Sequence, residues 1–279
     1  MLHMPMLNRP MLRIIIVVLS VVVLCGPVSA ETLRAGGVGA ATNLLPRLFE
    51  AFNQKTDELD VIPGLGTSGG LRALEENVLD FAVAGRMLNG EEKKQGLRIA
   101  LEVRTPFVLA TSHPNPNGVK AAEVSALYAS PKATWADGSP LRIILRPKSD
   151  SDTPILSGMF AGMPSSMETA RTRQDVLIAA TDQDNASLGE RIEGSLIAST
   201  LTQLQTEKRN VRVLPIDGVQ PSVETLESGA YPYSKSLYFV LSSKENPAVD
   251  RFLAFLKSPA GKTLLRETGN ILVEKPGAS

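Results

Sequence analysis

The sequence predicts an α/β fold in two successive units, and three observations predict it. Short apolar runs alternate with helical periodicity through residues 33–84. A long strand-like segment at 99–111 then runs into the turn-rich His113-Pro114-Asn115-Pro116-Asn117-Gly118. A second series of strands and helices follows that break. Of the 279 residues, 43% are hydrophobic and 21% charged, as in a folded domain and unlike a disordered tail.

The first 30 residues are a separate object. Arg9 and Arg13 precede an eleven-residue apolar run at 14–24, too short to span a hydrocarbon core of ~30 Å comfortably. Pro27 and the small residues Val28-Ser29-Ala30 complete the pattern of a secretory leader cleaved after Ala30. An uncleaved anchor is the competing reading. Lipidation at Cys25 is disfavoured because Leu24, not a small residue, precedes it. Removing the leader leaves 249 residues with 27 basic and 29 acidic side chains, a net charge of −2, one histidine and no cysteine. These counts provide no basic field for nucleic acid, no disulfide framework and no thiolate metal cluster.

The elements follow in order. Residues 33–35 lead into a glycine-rich turn, and 42–55 place Leu44, Leu45, Leu48, Phe49 and Phe52 on one helical face. Residues 59–65 read as a strand. Leu71, Leu74 and Val78 mark a helix, and 80–84 form a third strand. Strand–helix–strand at this spacing predicts parallel pairing through right-handed crossovers, with ligands outside the carboxyl ends of strands. In the second unit the patterns predict helices at 121–128, 153–160 and 184–192, and strands at 141–145, 196–199 and 211–215. A helix at 221–228, with Pro221 in its first turn and Gly229 as its stop, precedes a strand at 237–241. A helical pair over 246–268 breaks at Ser258-Pro259.

Three strand ends present small polar residues where a helix begins: Gly39-Ala40-Ala41-Thr42, Thr67-Ser68-Gly69-Gly70, and the run from Arg146 to Thr153. Free backbone N–H groups, a positive helix end and a hydroxyl together suit an oxyanion, although Ser, Thr and Asp also favour helix caps for their own sake. Gly37-Val38-Gly39-Ala40-Ala41-Thr42 approaches a dinucleotide fingerprint but ends in Thr where the last Gly belongs. Gly66-Thr67-Ser68-Gly69-Gly70 matches the nucleophile-elbow pattern, so a serine hydrolase using Ser68 is a rival reading. That chemistry needs a late histidine, and the mature chain has only His113, read here as a surface-loop residue. No spaced set of carboxylates suggests a metal site. Trp135 reads as a loop anchor, and Met159 and Met163 as core fillers.

Two later stretches carry a resemblance. Leu214-Pro215-Ile216-Asp217-Gly218-Val219-Gln220-Pro221-Ser222, followed by Gly229-Ala230-Tyr231-Pro232-Tyr233-Ser234, is similar to a signature of phosphate ABC-transporter substrate-binding proteins. Phe252-Leu253-Ala254-Phe255-Leu256-Lys257-Ser258-Pro259-Ala260-Gly261-Lys262 resembles the closing helix of the same family. The resemblance implies a type II periplasmic-binding-protein fold: two lobes, each a mostly parallel sheet flanked by helices, joined by two crossing strands. Residues 31–112 would form the first part of lobe 1, 113–229 lobe 2, and 230–279 the return to lobe 1.

It also implies a non-enzymatic, monomeric periplasmic protein without cofactor or metal. Such a protein would capture a small oxyanion, phosphate-like, or a carboxylate, and serve an ABC-transporter permease. A ligand sensor or envelope accessory protein without transport is the alternative on the same fold. In lobe 1 the implied ligand contacts are Ala41, Thr42, Thr67, Ser68, Gly69 and Arg86. In lobe 2 they are Arg146, Ser151, Asp152, Thr153, Asp182 and Asn185. Where phosphate-specific members carry an acceptor carboxylate, this chain has Gly85-Arg86, which favours a fully ionised anion or a carboxylate; Asp152 or Asp182 could supply an acceptor or bind an amine.

Overall fold

A computed structural model of the protein describes residues 32–52 and 58–274. The leader expected at 1–30, Cys25 and the far end of the first predicted helix lie outside them. No helix among the described residues is long and apolar enough to cross a membrane.

The first half opens with β1 (Thr32–Gly37), a short 3-10 turn (Gly39–Ala41), α1 (Leu44–Phe52) and β2 (Glu58–Ile62). It continues with α2 (Gly66–Glu75), β3 (Phe81–Ala84), α3 (Gly90–Lys94) and the long β4 (Arg98–Thr111). The second half contains α4 (Ala121–Ala129), β5 (Arg142–Leu145), α5 (Asp152–Met159), α6 (Met163–Arg171) and β6 (Leu177–Ile178). It continues through α7 (Asp182–Arg191), β7 (Ser195–Thr200), α8 (Leu201–Thr206), β8 (Arg212–Val213) and α9 (Val223–Glu227). The chain returns along β9 (Ser234–Leu241) and finishes with α10 (Pro247–Lys257), α11 (Pro259–Glu267) and β10 (Ile271–Leu272).

The described strands run in the order β2-β1-β3-β9-β4-β7-β5-β6, with β8 and β10 also paired to β4. Each half has a parallel trio, β2-β1-β3 and β6-β5-β7. The antiparallel pairs gather on the crossing strands. β4 lies against β9 from Arg98 to Pro106, then against β7 from Phe107 to Ala110. At ~3.3 Å per residue its fourteen residues reach roughly 45 Å, enough to serve both halves.

The hydrophobic effect builds four clusters among the described residues, a large and a small one in each half, and the two large ones show the division. One joins Leu33, Leu44, Leu48, Phe49, Phe81, Val103, Phe239 and Phe252, and the Phe49 and Phe252 rings meet edge-on at 5.5 Å. The other joins Phe107, Tyr128, Ile143, Met163, Leu196 and Tyr231. The changeover falls inside β4, between Val103 and Phe107. Close approach of α2 to β1 depends on paired glycines: a Cβ on Gly70 would lie 2.6 Å from the Gly37 Cα, and Gly37 has φ +132°.

Several local expectations shift. Helix α9 starts at Val223 with Ser222 as its cap, so Pro221 stands outside it. Helix α6 has no counterpart in the sequence reading; its buried Met163, Met167 and Ala170 are separated by polar residues that hide the stripe. The two-residue strands β6, β8 and β10 are too short to show any periodicity. His113 is buried, not a surface-loop residue: its ring stacks on Trp135 at 5.1 Å, and Nε2 lies 3.0 Å from an Asp137 carboxylate oxygen. Two hydrogen bonds from Ser139 and one from the His113 ring lower the Asp137 carboxyl to about 2.

Candidate ligand-binding cleft

A cleft of about 360 Å³ lies between the halves. Its first wall is the loop after β1 and the start of α2: Val38, Gly39 and residues 64–69. Leu65 precedes α2 and supplies no side-chain cap, because an apolar side chain has no acceptor for the first N–H groups. Thr67 and Ser68 are not caps, since both lie inside the helix. Thr67 Oγ1 accepts the Gly85 N–H at 2.9 Å and fixes the loop that leaves β3. Ser68 Oγ faces the Arg86 guanidinium at 3.3 Å.

Arg86 completes this wall. Its Nη2 and Nη1 donate to the two Glu92 carboxylate oxygens at 2.8 and 3.0 Å. Glu92 is positioned by a capping box with Asn89 at the start of α3. The Arg86 hydrogen bond holds the Glu92 carboxyl below its usual range, and the same bond raises Arg86.

The second wall is ionic. Arg146 leaves the end of β5, where burial of Ile143, Ile144 and Leu145 drives the strand inward and carries the guanidinium with it. Its Nη2 lies 2.5 Å from Asp150 and 2.9 Å from Asp182, and Nη1 donates to the Ala179 carbonyl at 2.6 Å. Its Nε is buried with no protein partner. Asp182 is the first residue of α7, which begins there because Thr181 and Asp184 form a capping box. Asp150 turns back to accept the Asp152 N–H at 2.9 Å and so starts α5.

Beneath the cleft, Lys235 of β9 is buried and pairs with Asp152, with Ser151 Oγ 3.1 Å from its ammonium. Burial pushes the Asp152 carboxyl up, to about 6, against the pull of Lys235. Lys235 stays above its ordinary value: burial opposes its charge, but Asp152, Asp182 and Asp150 together outweigh that cost. A Cβ on Gly85 would come 2.8 Å from Ser151 Oγ and 2.9 Å from Lys235 Cε, so lysine and serine fill the space a larger residue would need.

Seven of the sequence candidates line the cleft: Thr67, Ser68, Gly69, Arg86, Arg146, Ser151 and Asp182. The other five lie off that lining. Ala41 ends the 3-10 turn and is buried in the core. Thr42 follows that turn and is absent from the lining. Asp152 is turned toward Lys235. Thr153 Oγ1 donates back to the Pro147 carbonyl at 2.7 Å. Asn185 is buried, donating to the Ala198 carbonyl at 2.8 Å.

The sequence reading also passed over Asp150, Lys235 and Glu92. Lys235 stands between Ser234 and Ser236 at the polar start of its strand, so the sequence offers no signal that it is buried. Asp150, Asp152 and Asp182 converge, with oxygens within 4.8 Å of one another, although their sequence spacing has no metal-ligand pattern. Arg146 and Lys235 meet their charge.

Neither rival chemistry finds its geometry here. An elbow nucleophile sits on a strained turn, whereas the positive φ angles fall on Gly64 and Gly66, and Ser68 is helical. The only imidazole among the described residues is that of His113, held by Asp137 in the other half. The segment resembling a dinucleotide fingerprint enters a three-residue 3-10 turn instead of a helix.

Comparison with known proteins follows the same line. The chain is 22% identical over 274 residues to a phosphate-binding protein, PstS, of Borreliella burgdorferi, covering 92% of this chain and 96% of that one. Its fold matches a candidate phosphate ABC-transporter substrate-binding protein from Clostridium perfringens, solved with bound phosphate. The TM-score is 0.70 and the identity 18%, over 87% of this chain and all of that one. An ABC-type phosphate transport receptor from Vibrio cholerae matches at TM-score 0.58 and 17% identity, over 86% and 99%. These matches identify the architecture as the type II periplasmic-binding-protein fold. The profile of the PBP superfamily domain matches residues 26–260, most of the chain, so the protein belongs to the PBP superfamily, whose phosphate-binding members it resembles along nearly its whole length.

Proposed function

We propose that this is an exported solute-binding protein that captures a small, fully ionised oxyanion or a carboxylate between its lobes and delivers it to an ABC-transporter permease. The observation that carries the reading is the composition of the cleft. One wall offers the uncapped start of α2 with Thr67 and Ser68, and the guanidinium groups of Arg86 and Arg146 face the same space. Backbone N–H groups at a helix start, hydroxyl donors and guanidinium forks are the donors an oxyanion needs. The transport role takes its support from the relatives named above.

The ligand class takes its support from position 85, where the resembled family carries an acceptor carboxylate and this chain has a glycine whose side-chain space is filled by Ser151 and the Asp152-paired Lys235. Within this reading the lobes are residues 31–112 with 230–279, and 113–229; the separate cores support two lobes, and Phe107, Leu109 and Tyr231, which pack in the second core, move the changeover into β4 and the start of the return segment. The leader at 1–30 would place the mature protein in the periplasm.

Isothermal titration of the mature, ligand-stripped protein with inorganic phosphate, sulfate and small carboxylates tests the reading. Binding of at least one of these anions, weakened by Arg86→Ala, is the expected result. Absence of heat with all of them, in wild type and cleft variants alike, removes the anion assignment.

A further inference from the structure

One carboxylate in the cleft makes two contacts that an anionic ligand would make. Asp182 Oδ1 lies 2.9 Å from the Arg146 guanidinium, and Oδ2 accepts the Ala40 backbone N–H at 2.9 Å. Ala40 belongs to the first lobe, in the glycine-rich turn after β1, and Arg146 to the second. The carboxylate therefore joins the lobes across the cleft. The fit is tight. A Cβ on Gly39 would lie 2.5 Å from Oδ2 and 2.7 Å from the Asp182 Cβ, so the turn accepts this side chain only because residue 39 has none. Gln183 adds a second tie by donating from Nε2 to the Gly39 carbonyl at 3.0 Å.

We propose that Asp182 is a built-in anion: its carboxylate occupies a seat made by the Ala40 N–H and Arg146, closes the lobes on each other, and must be displaced by any external anion that takes the seat. The proposal rests on the reading of the cleft as an anion site. An intramolecular carboxylate already held at the seat by the fold competes without the loss of translational freedom that an external anion must bear. Asp182 thereby determines specificity. A monocarboxylate with no advantage over the tethered one is excluded, while an oxyanion of higher charge density with more acceptor atoms displaces it.

The test uses the mature chain as wild type, Asp182→Ala and the isosteric Asp182→Asn. Asp150→Asn serves as control, because it removes the same charge from Arg146 without touching the Ala40 seat. Inorganic phosphate, sulfate and acetate are titrated calorimetrically. X-ray scattering of the stripped proteins reports lobe separation, and thermal melting shows which variants are folded. Freeing the competent seat predicts that Asp182→Ala or Asp182→Asn binds phosphate at least about tenfold more tightly than wild type, with a larger radius of gyration.

Equal tightening in Asp150→Asn would mean simple relief of negative charge and would overturn the seat. Unchanged or weaker binding in folded Asp182 variants, where wild type binds, overturns the proposal and leaves the anion reading intact. No heat from any anion in any of the proteins defeats the anion reading itself. Scattering then decides the Asp182 contact alone, and unchanged dimensions in the variants overturn it.

Discussion

The two walls of the cleft solve one problem by different means. The lobe 1 wall relies on backbone N–H groups and hydroxyls at the start of α2, and its one guanidinium, Arg86, is over a third exposed and held by Glu92. The lobe 2 wall relies on buried charge: Arg146 between Asp150 and Asp182, with Asp152 and Lys235 beneath. Neutral donors cost little to leave facing water, whereas buried ions must be paired to exist at all. The lobe 2 wall is accordingly part of the folded framework, and the lobe 1 wall can change with less consequence for stability.

The sharpest way to break this contrast is at its most buried pair. Asp152→Ala leaves the Lys235 ammonium without its closest carboxylate in a fully buried position, and a loss of ~3–5 kcal/mol is expected. Urea unfolding measures it. The double change Asp152→Leu with Lys235→Met should recover most of the loss, since the cost lies in the orphaned charge and not in the pair itself.

Arg146→Ala comes next. It strips the cation from Asp150 and Asp182 and the donor from the Ala179 carbonyl, so ~2–4 kcal/mol of stability should go along with ligand affinity. A melting temperature unchanged by the substitution would leave Arg146 a ligand contact without a part in the framework.

Gly85→Ala examines the joint between the walls. Its Cβ would press on Ser151 Oγ and Lys235 Cε, and a cost of ~1–3 kcal/mol in unfolding free energy is expected from overpacking. A neutral result would show that Lys235 moves aside easily.

The smallest effect belongs to Arg86→Ala, ~0–1 kcal/mol in stability, because its pair with Glu92 is partly exposed to solvent. Its pH dependence carries a sign. Folding lowers the Glu92 carboxyl, so the contribution is present above the ordinary carboxylate range and is lost as pH falls through the lowered value. The stability difference between wild type and variant should be seen near neutral pH and vanish well below about pH 4. A difference that persists in acid would mean that Arg86 acts through its stem and not its charge.

The sequence carried the architecture well because burial leaves a periodic record. Leu44, Leu45, Leu48 and Phe49 face the core as their spacing predicts, and strands such as Phe81–Ala84 appear as continuous apolar runs. The α2 start and Arg146 were also visible, since both stand at strand–helix junctions. Partner choice was not. Asp150, Asp152 and Asp182 lie within a 33-residue span, and nothing in their spacing tells which cation each will meet. His113 illustrates the same limit: a Pro-Asn turn argued for exposure, and stacking on Trp135 buried it.

By itself, then, the sequence determined the α/β alternation, the glycine-rich turns and a composition with one cysteine and two histidines in 279 residues. Those are properties of local spacing and of counts. Only the tertiary structure decided that Lys235 rises beneath the cleft to hold Asp152, that Arg146 is shared by two carboxylates, and that Asp182 reaches across to the Ala40 N–H. Each of these joins residues more than thirty positions apart or decides between near neighbours by fractions of an ångström. The physical reason is that buried charges take whichever partner packing brings within reach, and packing is a property of the whole chain.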